Sequence, residues 1–276
     1  MIVTKNVCVV IVLYNCDETI NNKVRYLQNV VGRVLLVDNG SKSELNLEGL
    51  CNDRVSVIRN SKNEGIAYAL NQGLEYAYNQ GFELLLTLDQ DSYIEKDTIE
   101  LLAASIDLQS RVISVGPFYD NNIHEKSQNV KCLITSGNML HVNTIKSLGG
   151  FVNELFIDCV DIDLSFNIIS HGYVLQKIAG TMLEHKIGEY EYSNILKVRY
   201  LSHKPIRFFY KYRNNFYIYR KYKKRLPKEC LKLFLSLVLE TLKVIFVERN
   251  KFQKCKYACK GMWQGVGIHE WNNNVD

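Results

Sequence analysis

Asp89-Gln90-Asp91 follows directly on an apolar run at residues 82–88. Inside a strand, residues i and i+2 share one face of a buried surface, where paired carboxylates lack compensation. At a strand end, where the chain turns, both can converge on one hard cation through oxygen, the donor that Mg2+ and Mn2+ prefer. A solvated acidic turn is the plainer alternative. Asp38 also ends an apolar run, ahead of Asn39-Gly40-Ser41. A carboxylate there can accept the imide N–H of a pyrimidine base or a ribose hydroxyl, or cap the turn that Asn39-Gly40 announces. Asn63-Glu64-Gly65 opens a helical pattern, whose N-terminus either favours an anion or is capped in the ordinary way. Asp158, Asp161 and Asp163 gather at a further helix start. The helix macrodipole accounts for negative charge there. A general base taking a proton from a hydroxyl accounts for Asp161 as well, since an ordinary carboxylate is ionised at neutral pH. His185, before Lys186-Ile187-Gly188, has the chemistry of a third metal ligand, a phosphate contact or a structural histidine.

The elements that must position these residues alternate. Strand patterns fall at 7–13, 33–37, 54–58, 82–88, 111–115, 132–135 and 173–179, and helical patterns at 17–31, 64–80, 97–108 and 161–170. In the second helical pattern Ile66, Leu70, Leu74 and Ala77 share a face, and Gly81 supplies the stop. Such an order predicts an α/β fold, a mostly parallel central sheet flanked by helices. Ligands of such sheets bind beyond the carboxyl ends of the strands, where these polar residues lie.

The chain has 276 residues, 47% of them hydrophobic and 23% charged, which is the composition of a globular protein. Its eight cysteines form no C-x-x-C pair and no zinc-finger spacing, and read as reduced thiols of a cytoplasmic protein. There is no signal-peptide pattern at the N-terminus. The longest apolar stretch, 231–247, is interrupted by Lys232, Glu240 and Lys243 and falls short of a membrane span. Charge is uneven. Residues 199–228 hold eleven Lys/Arg and no Asp/Glu, so the rest of the chain, with 23 basic against 29 acidic residues, is mildly acidic. In that segment aromatics interleave with the basic residues, and an amphipathic helix pattern follows at 228–247. We therefore divide the chain into a domain at 1–198 and a helical, basic-aromatic extension at 199–276. The favoured reading of residues 199–247 is a membrane-surface patch beside the amphipathic helix. A solvated face with its aromatics in the core is the alternative, and no nucleic-acid partner is expected.

The order of these pieces resembles the inverting nucleotide-sugar transferases of glycosyltransferase family 2, which have the GT-A fold. The resemblance runs from Val9-Val10-Ile11-Val12-Leu13-Tyr14-Asn15 through Val37-Asp38-Asn39-Gly40-Ser41, Asn63-Glu64-Gly65-Ile66-Ala67 and Leu88-Asp89-Gln90-Asp91-Ser92. It continues to Ser136-Gly137, to Asp158-Cys159-Val160-Asp161-Ile162-Asp163 and to His185. The Asp89-Gln90-Asp91-Ser92 form, with the stretch from Asp158 to Asp163, looks most like bacterial rhamnosyltransferases. The resemblance implies that Asp38 contacts the base of the donor and Asp89 the ribose or metal side. Asp91, with His185 in support, would bind an Mg2+ or Mn2+ carrying the diphosphate, and Asp161 would be the catalytic base. It also implies a donor side containing Tyr14, Asn15, Asn63 and Gly65, and an acceptor side containing Ser136, Gly137 and Asp158. Val160 stands where many relatives have Glu. The implied partners are a dTDP- or UDP-linked sugar and a glycan or lipid-linked acceptor, at the inner face of the cytoplasmic membrane. A nucleotidyltransferase would carry a Gly-rich basic loop, which Val12-Leu13-Tyr14-Asn15 is not. A degenerate, non-catalytic binding module is the rival from another class.

Overall fold

The computed structural model describes residues 3–42, 46–119, 126–184, 190–193, 198–201, 203–248 and 250–267. The chain forms two compact units, Met1–Asn153 with Val160–Lys186, and Glu154–Cys159 with Ile187–Asp276.

The first unit is built on β1 (Val7–Leu13), buried almost throughout because helices cover both of its faces. There follow α1 (Thr19–Leu27), β2 (Arg33–Asp38), β3 (Val55–Arg59), α2 (Ile66–Asn79), β4 (Leu84–Asp89), β5 (Tyr93–Ile94) and α3 (Lys96–Ala104). The unit continues with β6 (Val112–Phe118), β7 (Gln128–Val130), β8 (Asn138–His141), α4 (Val142–Ser147), α5 (Val160–Ser170) and β9 (Val174–Glu184). Among the described residues the strands run in the order β3-β2-β1-β4-β8-β6-β9-β5, with β7 also on β9. The pairs β3/β2, β2/β1 and β1/β4 are parallel, as alternation predicts. Beyond β4 the sheet is mixed, since β8 lies antiparallel to both β4 and β6 while β6/β9 is parallel.

One face of β1, through Val7, Val9, Ile11 and Leu13, packs with Ile20, Val24 and Leu27 of α1 and Ile99 and Leu102 of α3. On the other face α2 lies so close that a Cβ at Gly73 would sit 2.6 Å from the Val10 side chain. Asp17 starts α1 by accepting from the Thr19 amide at 3.0 Å. Gly81 ends α2 at φ 74°, a conformation glycine adopts without strain.

The strand expected at 132–135 is not one. The Leu133 amide donates to Ser165 Oγ at 3.2 Å, and the Thr135 carbonyl accepts from the Thr87 hydroxyl, so these groups are taken by side chains rather than by a neighbouring strand. The strands on either side of that stretch, β7 and β8, are short and polar at several positions, which is why a search for apolar alternation passes over them.

The second unit contains β10 (Tyr190–Ser193) antiparallel to β11 (Val198–Leu201), then α6 (Pro205–Tyr222), α7 (Pro227–Phe246) and α8 (Lys251–Gly267). Phe208, Tyr212, Leu237, Val244 and Ala258 form its core. Helix α8 lies close along α6 because it presents glycines there: a Cβ at Gly261 would meet the Phe209 carbonyl oxygen at 2.3 Å. The aromatic residues of the basic stretch are thus largely structural, with Phe208, Tyr212, Tyr217 and Tyr222 buried.

Candidate functional site

Register decides which side chains meet at the carboxyl end of β1. Leu13 is paired with Asp38 and Val12 with Asp89. The two aspartates therefore flank the exit of one strand, roughly 10 Å apart at the spacing of two strand intervals. On the outer side Asp38 pairs with Arg59 of β3.

Asp38 is buried, and both its carboxylate oxygens are engaged. One accepts from the Ser41 amide at 3.0 Å and the other from Arg59 Nη1 at 2.9 Å. Arg59 in turn grips Glu48, through Nε at 2.6 Å and Nη2 at 2.7 Å, and that guanidinium holds the Glu48 carboxyl below its ordinary range. The turn-capping role foreseen for Asp38 is thus observed, and each oxygen retains a second lone pair. Asn39 is the hub beside it. Its side chain donates to Asn63 Oδ1 at 3.2 Å and to the Gly65 carbonyl at 3.1 Å, and accepts from the Glu64 amide at 3.1 Å and Asn60 Nδ2 at 3.1 Å. Asn63 also accepts from the Gly65 amide at 2.9 Å, and Gly65 precedes α2 at φ 90°, ψ 159°. That conformation is essentially confined to glycine. A glycine in the N-cap position brings no side chain over the amides of the first turn.

At the exit of β1, Asn15 has φ 49° and is clamped from both ends: its amide donates to Ser41 Oγ at 2.8 Å and its side chain accepts from the Lys42 amide at 2.9 Å. Tyr14 is bound by Gln90. The Gln90 carboxamide accepts from the Tyr14 amide at 2.9 Å and donates to its carbonyl at 3.4 Å, extending the β1/β4 ladder by a side-chain rung. The residue between Asp89 and Asp91 is therefore occupied with the backbone. Asp89 is half-buried at the end of β4, and Asp91 is exposed in the turn. Beneath them Ser136 accepts from the Asp89 amide at 3.0 Å and donates to Ser92 Oγ at 2.7 Å. Gly137, at φ 82°, donates its amide to the Thr87 carbonyl at 2.7 Å. Ser136 and Gly137 are thus the support of the turn. Lys23 of α1 donates to the carbonyls of Asp89, at 3.2 Å, and Gln90. Burial lowers its ammonium to about 8, against the pull of the Asp91 and Asp89 carboxylates. A cleft of about 680 Å³ opens here, lined among others by Asn15, Asp17, Thr19, Lys23, Tyr26 and Asp91.

Asp161 stands in the first turn of α5, half-buried, and one of its oxygens accepts from the Ile162 amide at 2.9 Å. Tyr119 is bound to the support of the turn after β4. Burial raises the Tyr119 phenol, and the negative charges of Cys132, Asp161 and Asp89 add to that rise. That hydroxyl donates to the Ser136 carbonyl at 3.2 Å. Burial, and then the Asp161 charge, push the Cys132 thiol up to about 12. Lys177 supplies the positive charge, its ammonium 5.0 Å from the Tyr119 ring centre. Asp163 is buried on the same helix.

Asp158 belongs to the second unit. Arg207 holds its carboxylate in a fork, Nε to one oxygen at 3.2 Å and Nη2 to the other at 2.5 Å. Phe156, Asp158 and Cys159 all have positive φ, between 62° and 64°, which costs non-glycine residues of order 1–3 kcal/mol each unless the surroundings hold them. The holder is Asn214, fully buried, whose amide donates to the carbonyls of Leu155, Ile157 and Asp158 at 2.8–2.9 Å. Arg213 adds the Glu154 carbonyl at 2.6 Å, and Phe156 stacks on Tyr210 at 4.9 Å.

Sequence reasoning did not find Lys23, Arg59, Asn39, Gln90 or Tyr119. Only Gln90 and Asn39 carried a local signal, since they sit within the two motifs. The others reach the site through strand pairing or from a helix, and no spacing announces them. His185 lies outside the described residues. Among the described residues no group of three or more His, Cys, Asp or Glu could hold a metal by itself.

Comparison with known proteins places this arrangement. Residues 8–148 match the family model "Glycosyl transferase family 2". The dTDP-rhamnosyl transferase RfbF of Shigella flexneri is 27% identical over 284 residues, covering 95% of this chain and 95% of that protein. The crystal structure of S. aureus TarS 1-349 matches with a TM-score of 0.58 and 17% identity, over 94% of this chain and 80% of that one. A structure of GalNAc-T7 with UDP, GalNAc and Mn2+ matches with a TM-score of 0.55 and 17% identity, over 65% of this chain and 43% of that longer one. The architecture is of the GT-A type, carried on by C-terminal helices.

Proposed function

This chain belongs to glycosyl transferase family 2 and is a glycosyltransferase; on that premise we propose that it moves L-rhamnose from dTDP-rhamnose to a hydroxyl of a glycan or lipid-linked saccharide, with inversion, during synthesis of a bacterial cell-surface polysaccharide. The rhamnose assignment draws its support from identity with RfbF along nearly the whole chain. One geometric observation supports the chemistry: the strand register sets Asp38 and Asp89 on either side of the carboxyl end of β1, beside a cleft that Asp91 lines.

In this reading Asp161 accepts the proton of the acceptor hydroxyl as that oxygen attacks the anomeric carbon. The bond to the diphosphate breaks through an oxocarbenium-like transition state, and one displacement inverts the centre. Asp38 receives the base, Asp89 the ribose or metal side, and Tyr14, Asn15, Asn63 and Gly65 form the donor side. Ser136 and Gly137 shape the acceptor side through the turn they support, and Asp158 is kept as an acceptor contact on the resemblance alone. Asp89 and Asp91 are hard oxygen donors and would hold an Mg2+ or Mn2+ ion; His185 is kept in support. When bound, such an ion neutralises charge on the departing diphosphate. We assign transfer to residues 1–198 and place the protein peripherally on the inner face of the cytoplasmic membrane, with residues 199–247 as the attachment region.

The test is a thermal-shift screen with dTDP, UDP, GDP and CDP, with and without Mg2+ or Mn2+, because a ligand that binds only the folded state raises its apparent stability. A cation-dependent shift with dTDP supports the proposal. A shift with UDP alone keeps the transferase and replaces the sugar. No shift with any nucleotide points to a binding module that has lost the reaction.

A further inference from the structure

The second unit keeps an apolar surface that its own core does not use. Helix α7 turns Cys230, Leu237 and Val244 inward. On another side it exposes Leu231, Phe234, Leu235, Leu239, Leu242 and Phe246, with Leu239 67% and Phe246 64% exposed. At 3.6 residues per turn these six fall within an arc of about 140°, a continuous stripe along the helix. Helix α8 repeats the pattern: Phe252 and Trp263, three turns apart and so on one face, are 82% and 85% exposed. Exposed apolar patches of this extent mark an interaction site.

Basic residues predominate around the N-terminal end of the stripe, with Glu229 among them. Lys223, Lys224, Arg225, Lys228 and Lys232 are all exposed around the N-terminal end of α7. Two of the nearby carboxylates are neutralised within the unit: Glu240 pairs with Lys211, and Glu248 with Lys243 at 2.9 Å and Lys254 at 2.6 Å. Residues 251–267 contain no Asp or Glu. Between α6 and α7 lies a cavity of about 570 Å³ with mostly apolar walls, including Phe216, Tyr219, Leu231, Phe234 and Leu237, and with Lys223 beside them. No helix among the described residues is long and apolar enough to cross a membrane. A helix with an apolar stripe, lysines beside it and an exposed tryptophan nearby instead suits a position in the plane of a lipid interface.

We propose that the exposed stripe of α7, together with Phe252 and Trp263 of α8, is the surface by which this protein seats on an anionic lipid bilayer, the lysines contacting headgroup phosphates and the α6–α7 cavity admitting a hydrocarbon chain. This deepens the membrane-location part of the reading above. It replaces a diffuse basic-aromatic segment with a defined face, since the basic-aromatic α6 gives Arg207, Arg213 and its buried tyrosines to the interior. It depends on neither the sugar nor the acceptor, so a chain that binds vesicles yet transfers nothing upholds this proposal and overturns the other.

The experiment is vesicle flotation of the full chain with phosphatidylglycerol–phosphatidylcholine vesicles and with phosphatidylcholine alone. It compares wild type, the triple variant Leu239→Glu/Leu242→Glu/Trp263→Glu and the triple variant Lys223→Gln/Lys224→Gln/Arg225→Gln. All substituted residues are exposed, and unchanged melting verifies folding. Wild type is expected to bind anionic vesicles at least about tenfold more than neutral ones, with each variant losing about tenfold. Loss in the charge variant alone reduces the contact to electrostatic adsorption and overturns docking by the stripe. Absence of vesicle binding, with a concentration-dependent dimer that the glutamate variant abolishes, assigns the face to a second copy and overturns the proposal outright.

Discussion

The carboxyl edge of β1–β4 and helix α6 use similar side chains in opposite ways. At the sheet edge neutral amides and hydroxyls carry the architecture: Gln90 extends the ladder to Tyr14, Asn39 joins the turn after β2 to Asn63 and Gly65, and Ser136 holds the Asp89 amide. Asp91 is left exposed and Asp161 half-exposed. In α6 the polar and charged groups are themselves the architecture. Asn214 is fully buried against three carbonyls, and Arg207 and Arg213 bind the same strained loop. Within α6, then, basic charge alone does not mark a functional surface. Hydrogen-bonding capacity that the fold has not already used is the better guide.

The comparison can be broken at its strongest point by removing divalent cations. If the acidic turn serves chemistry, thorough chelation lowers transfer by on the order of 10³-fold, the equivalent of several kcal/mol of charge stabilisation. Release of nucleoside diphosphate from the donor measures it, and Mn2+ or Mg2+ restores it. Full activity in chelator would reduce Asp89-Gln90-Asp91 to a solvated turn. In α6 the matching substitution is Asn214→Ala. It strands buried carbonyls and removes the support for positive φ at Phe156 and Asp158, and is expected to cost about 2–4 kcal/mol in denaturant unfolding. The half-buried Asn60→Ala, which breaks a mutual pair with Gln72 of 2.9 Å each way, should cost about 1 kcal/mol. The reverse ranking would contradict the division of labour drawn here.

Asp38→Asn should weaken nucleotide binding by about tenfold, one charge-assisted hydrogen bond, as read by calorimetry. An unchanged affinity would confine Asp38 to its turn and to Arg59. The smallest effect concerns thiols. Cys51 and Cys259 are exposed, whereas burial pushes Cys8 and Cys132 up to about 12. At neutral pH alkylation followed by mass mapping should label the first pair and spare the second, since the thiolate is the reactive form. Because the folded state favours the protonated Cys132, its contribution to stability is present below pH ~9 and lost as pH rises towards about 12. Rapid labelling of Cys132 would contradict its burial beside Asp161.

The same contrast explains what the sequence disclosed. The β1–β4 half was legible because buried parallel strands read as apolar runs and because Asp38 and Asp89 stand directly at strand ends. The mixed half was not: β7 and β8 are too short and polar for their period to register, and the stretch at 132–135 imitates a strand while its backbone is bound by Ser165 and Thr87. Lys23 and Tyr119 lie far along the chain from the motifs they serve, so only the assembled sheet discloses them. In α6 the alternation of Tyr, Phe, Lys and Arg concealed an ordinary helix, because its inward face is built of Tyr, Asn and Arg rather than Leu and Val.

The most direct test of the central claim is donor binding and transfer measured together on wild type and Asp161→Asn. The account predicts that the variant melts normally, binds dTDP-rhamnose with unchanged affinity and transfers at least on the order of 10²-fold more slowly, the contribution expected of a positioned base. Transfer at near wild-type rate would remove Asp161 from that role and contradict the mechanism.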